Sequence, residues 1–194
     1  MKYLSERITT YVIKAGAITE ESYTIYQYGF QIGLEMISCF IVCLGIAILL
    51  HMIPQFIVFT TIFILLRTYA GGVHLNSYFG CFICSVAIQT LVLLVNDQYI
   101  IPLPVSWGII FIGAILTLIN APVENINREL DKEEKKHCKK ITFYILTGIV
   151  LFSCGSTVAG MNRNVSLVSL TILVVLISQY LGMIKYQIEQ KGRG

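Results

Sequence analysis

The chain has 194 residues, 56% of them hydrophobic and 13% charged, with a formal net charge of +3 and a mean hydropathy of +0.75. Soluble domains carry roughly 25% charged residues, and a soluble fold of this length needs more polar surface than these side chains supply. An ordinary soluble enzyme is excluded, and residues 1–194 read as one all-α, polytopic integral membrane domain.

The first stretch, MKYLSERITTYVIKAG, has no uninterrupted apolar core before Lys14 and no small-residue cleavage pattern, so it does not read as a secretory signal. Leu4, Ile8, Val12 and Ala15 recur at helical spacing between Glu6, Arg7 and Lys14. That pattern suits an amphipathic helix in the membrane interface, over a region taken as 1–28; a short soluble lead-in helix is the alternative.

Residues 29–184 hold the spanning segments. Met36–Ile53 is the first apolar run, extended by Gly29–Leu34, and Pro54–Leu66 is a second that needs Tyr69–Gly72 to reach spanning length. Tyr78–Val95, Pro104–Ile119, Ile141–Met161 and Val165–Ile184 complete a set of six. An even number puts both termini on one side. Of the fourteen lysines and arginines, Arg163 alone falls in an outside loop if the N-terminus is cytoplasmic. The positive-inside bias therefore predicts cytoplasmic termini, a cytoplasmic tail at 185–194 and a cytoplasmic basic loop at 121–140.

Glu35 is the carboxylate nearest the start of the first span, and an intramembrane ionisable group is a functional candidate unless it sits at the interface. Gly29 and Gly33 form a G-x-x-x-G, a pattern that can mark a helix contact within the chain or in a homodimer. The loop APVENINRELDKEEKKHCKK places Asp131 and Lys135, and Lys132 and Lys136, at i,i+4 spacing, so part of it is expected to be helical. Its charges read either as a solvated face or as a surface for an acidic partner or anionic headgroup.

The stretch RTYAGGVHLNSYFGC, residues 67–81, lies on the cytoplasmic side between the second and third spans. Seven residues on one helix would separate His74 from Cys81 by about 10 Å along the axis, so a direct pair needs a bend. Gly71-Gly72 before His74, and Asn76-Ser77 after it, favour turns. The expected picture is a loop carrying His74 with Cys81 on the first turn of the third span. A helix start favours a thiolate, an imidazole can take its proton, and glycine N–H groups can face an oxyanion. Arg67 would hold the loop or meet a substrate carboxylate. Two other readings stand beside this one: a packed His–Cys pair, and a metal site using Cys81 and Cys84 of the C-x-x-C with His74. The six cysteines otherwise read as small hydrophobes, with no disulfide framework implied by spacing.

Arg67–Cys81 reads R-x-x-x-G-G-x-H-x-x-S-x-x-x-C, and Ala121–Arg128 reads A-P-V-E-N-x-N-R. Both motifs, in this order and on one membrane face, resemble the accessory gene regulator B family, and the resemblance extends over nearly the whole chain. One departure is that Arg128 is followed by Glu129-Leu130, where the family commonly has proline.

The resemblance implies a membrane cysteine endopeptidase that cleaves the C-terminal tail from a quorum-sensing propeptide and promotes thiolactone or lactone closure. It maps the catalytic pair onto His74 and Cys81; the reading of the residues themselves adds Arg67, Gly71, Gly72, Ser77 and Glu35 as candidates for supporting roles. Arg128, Lys132, Lys135 and Lys136 become the expected contacts to the acidic tail. The expected partners are that propeptide, with its amphipathic leader, and membrane lipids. No cofactor, metal or nucleic acid is expected. The rival function is a small transporter or channel subunit whose His–Cys pair is structural.

Overall fold

The computed structural model describes residues 2–16, 22–73, 78–123 and 131–191, and among them every regular element is an α-helix. α1 is Lys2–Lys14, α2 Tyr23–Leu49, α3 Ile53–Ala70, α4 Tyr78–Gln98, α5 Leu103–Asn120, α6 Lys132–Val158 and α7 Asn162–Lys191. Six of these, α2 to α7, are long and apolar enough to cross a membrane, as the composition requires. The chain is a multi-pass membrane protein.

Several boundaries differ from those read off hydropathy, each for a local reason. α2 begins at Tyr23, so the region taken as 1–28 contains α1 and also the first turn of a spanning helix. α3 ends at Ala70, because Gly71 takes φ +80°, a conformation glycine adopts at little cost. Gly71-Gly72 therefore leads out of the second span and does not complete it. α6 begins at Lys132, well ahead of the apolar run that opens at Ile141. Its start is set by a capping box: Glu134 N–H donates to Asp131 Oδ1 (2.7 Å), and Asp131 N–H donates to Glu134 Oε2 (3.2 Å). The D-x-x-E spacing carries that signal in the sequence. The charged half of the 121–140 loop is thus the first turns of a helix that continues into the apolar span.

α7 is the central helix. It packs against α5 and α3 most extensively, and also against α6 and α4. The main core joins Ile62, Leu66, Ile110 and Leu146 to Val168, Ile172 and Val175 of α7. Gly113 lets α5 approach closely: a Cβ there would strike the Ile172 side chain. Small residues permit such approach where lipid offers no hydrophobic drive between helices. α2 packs on α4 and α3, with Cys43, Ala47, Phe56 and Leu93 in a second cluster.

α1 lies along α2, burying Ser5 and Thr9 and leaving Tyr3, Leu4 and Tyr11 exposed. Thr9 donates to the Ser5 carbonyl (2.8 Å), and Gln27 donates to Glu6 (3.3 Å). The face meeting α2 is small and polar, which leaves apolar side chains available to an interface.

Two ends of the bundle are defined by contacts. At one, Val123 N–H donates to the Ala70 carbonyl (3.0 Å) and Val73 N–H to the Ser178 carbonyl (2.8 Å). At the other, Arg163 pairs with Asp97 (2.9 Å) and Ile101 N–H donates to Ser166 Oγ (3.0 Å).

Candidate active site

The end of α3 and the start of α4 bring the first motif together. Cys81 is the fourth residue of α4, in its first turn, and is half-buried; Cys84 is exposed. Arg67, in the last turn of α3, lies within electrostatic range of both Cys81 and Cys84. Cys39 of α2 is likewise within electrostatic range of Cys81. The thiol thus sits where α2, α3 and α4 converge, in the half of the molecule that carries the basic segments. His74 and Ser77, between Val73 and α4, lie outside the described residues, as does Arg128.

Arg67 holds the loop. Its Nη1 donates to Ser178 Oγ of α7 (2.8 Å), and its Nη2 donates to the Val73 carbonyl. The planar fork of guanidinium donors reaches two acceptors at once, which a lysine ammonium does not reproduce. These two donors are thus engaged within the protein. Val73 N–H is also committed, to Ser178, which removes it as an oxyanion donor.

The glycine pair has a spatial reason as well as a dihedral one. A Cβ on Gly71 would lie 2.7 Å from the Val123 carbonyl oxygen and 2.9 Å from its nitrogen. A Cβ on Gly72 would strike Arg67 Nη1 and lie 2.6 Å from Ser178 Oγ. The first motif therefore packs directly on the start of the second, Ala121–Val123, although two spanning helices separate them in the chain.

The remaining expected residues are more dispersed. Glu35 lies about three turns into α2 and accepts a hydrogen bond from Gln31 (3.0 Å), so it has a partner within its own helix. Lys132 and Lys136 are exposed and Lys135 half-buried on the first turns of α6. Among the described residues no three His, Cys, Asp or Glu side chains are gathered as a metal-ligand set.

Sequence reasoning did not find the contribution of α7. Gln179 is fully buried, and its Nε2 donates to the Ala70 carbonyl (3.1 Å) and the Thr117 carbonyl (3.4 Å), tying the ends of α3 and α5 together. A buried amide in an apolar span was the available signal; its partners were not readable.

The model of the family described as Accessory gene regulator B matches residues 5–186, a range that contains both motifs and nearly all of the six spanning helices. The chain belongs to the accessory gene regulator B family. It is also 27% identical, over 179 residues, to a protein of Clostridium beijerinckii described as AgrB-like, covering 90% of this chain and 87% of that protein. No solved structure matches. Membership associates the chain with processing of the accessory gene regulator peptide.

Proposed function

We propose that the chain is a membrane cysteine endopeptidase that removes the C-terminal tail of a pheromone propeptide and closes the pheromone into a ring. The observation that carries this reading is Cys81 in the first turn of α4, half-buried and within electrostatic range of Arg67, with the chain anchored at Val73, one residue before His74. In this reading His74 takes the Cys81 proton and the thiolate attacks the scissile carbonyl carbon. The C–N bond breaks, His74 returns the proton to the departing amine, and the tail leaves from a Cys81 thioester. A thiol or hydroxyl of the pheromone then attacks that carbonyl, forming the thiolactone or lactone and releasing the Cys81 thiol. No water is consumed, and exclusion of water beside the bilayer favours closure over hydrolysis.

Both termini and the site face the cytoplasm in this reading, on the strength of the basic residues. An acidic tail is drawn to Arg128, Lys132, Lys135 and Lys136 by charge. An amphipathic leader shares the interface with α1, whose Tyr3, Leu4 and Tyr11 are exposed. A Cβ at Gly29 or Gly33 would meet nothing within 4 Å, so this small-residue face of α2 suits close approach of a second copy.

The test is co-expression with a candidate propeptide, followed by mass spectrometry. The expected products are a free tail and a pheromone segment lighter by one water than its linear acid. Recovery of intact propeptide alone, or cleavage that survives Cys81→Ala, would overturn the reading.

A further inference from the structure

The geometry points to Ser178 and Gly182 of α7 as positioning residues for the loop that carries His74. This rests on the reading of His74 and Cys81 as base and nucleophile, and adds to it the element against which the base is aligned. Four observations converge on one short segment of α7. Val73 N–H donates to the Ser178 carbonyl (2.8 Å). Arg67 bridges Ser178 Oγ and the Val73 carbonyl, so both polar groups of the Val73 backbone are held through Ser178 or its partner. A Cβ at Gly182 would lie 2.8 Å from the Gly72 carbonyl carbon and 2.9 Å from Val73 nitrogen. Those are backbone atoms with no flexible end to swing aside, so any side chain at 182 must push the loop off the helix. Gln179, between them, holds the Ala70 carbonyl where the loop begins (3.1 Å).

Ser178 and Gly182 are four apart and share one face of α7. One supplies the polar partners and the other supplies the room. His74 is joined to Val73 by a single peptide bond, so whatever fixes the Val73 backbone restricts where the imidazole can be delivered. Displacement of a reacting group by about 1 Å is enough to cost roughly 100-fold in rate. α7 contributes no group to the chemistry; it holds the Val73 backbone from which the base is delivered.

The test uses the full-length protein in lipid nanodiscs and follows Cys81 by the rate at which its own peptide is alkylated with iodoacetamide, read by mass spectrometry, since the exposed Cys84 and Cys154 also react. If His74 is the base, His74→Ala slows alkylation; if it does not, the proposed chemistry fails, and with it the seat. Given that slowing, Gly182→Ala should slow alkylation by a factor comparable to that of His74→Ala. With the propeptide as substrate, the same variant should lower kcat by roughly 100-fold, as expected when a reacting group is displaced by about 1 Å, and leave KM within about twofold. Gly148→Ala on α6, where a Cβ meets nothing within 4 Å, should match the parent. Should Gly182→Ala fail to insert, Ser178 decides: Ser178→Ala should slow alkylation, and Ser178→Thr, which keeps the hydroxyl, should restore it. Parental alkylation in Gly182→Ala, or a threonine no better than alanine at 178, would overturn the assignment while leaving the His74–Cys81 reading intact.

Discussion

Cys81 and Cys84 are three residues apart on α4, which places them about 60° apart around the helix and about 4.5 Å apart along it. That offset is enough to give them different surroundings: Cys81 is half-buried and Cys84 exposed. The difference favours Cys81 as the thiol presented to a substrate held between helices. Cys81→Ala should abolish propeptide cleavage, whereas Cys84→Ala should retain it within about twofold, since surface changes of this size rarely disturb a fold. A hydroxylamine-sensitive adduct trapped on Cys84 would reverse the assignment. The histidines separate in the same way. His51 lies in the turn between α2 and α3, at the far end of an 18-residue helix from Ala70 and thus about 27 Å away along α3. His137 is exposed on α6. His74→Ala should lower cleavage by at least ~100-fold, the low end for a lost general base, with membrane insertion unchanged. The alanine variants at His51 and His137 should process propeptide normally, and loss of activity in either would show a base that the loop does not supply.

Among the elements, α6 is the one whose extent matters most for a charged partner. Its capping box starts the helix at Lys132, so the lysines of the 121–140 segment stand on ordered turns. Lys132 and Lys136, one turn apart, therefore present their charges along one side. Removing the cap tests this. Asp131→Ala should cost about 1 kcal/mol at the helix start, and hydrogen exchange at the amides of residues 133–135 should quicken by roughly fivefold. Unchanged exchange would mean that the turn is held by something other than Asp131. α3 shows the opposite boundary, where Gly71 ends the helix and passes the chain to Val123 and Ser178 within three residues.

Across the whole molecule, the two ends differ in charge as well as in contacts. Arg163, paired with Asp97, lies at the end away from Arg67 and the α6 lysines. The positive-inside rule predicts that this end is extracellular. Single cysteines introduced at 124–136 should be shielded from an impermeant maleimide in whole cells and become reactive on lysis. A cysteine at Gln98, where α4 ends, should label from outside. Strong external labelling at 124–136 would invert the topology and place the proposed cleavage on the wrong side.

The number of spans, the all-helical class, the clustering of basic residues and the His74–Cys81 spacing were all legible in the sequence, because hydropathy, charge and a short motif are properties of contiguous residues. Even the start of α6 was written there, as D-x-x-E. Only the tertiary structure decided that α7 is central and that the loop before His74 is seated on it. The contacts that show this join Arg67 to Ser178 and Ala70 to Gln179, pairs separated by 111 and 109 residues. Apolar patterning cannot supply such pairings in a membrane. Lipid tails are as apolar as a helix interface, so hydrophobic side chains that face lipid and those that face protein look the same in the sequence. The helix partners are set instead by small residues and buried polar groups, such as Gly113, Gly182 and Gln179, whose complements lie on distant helices.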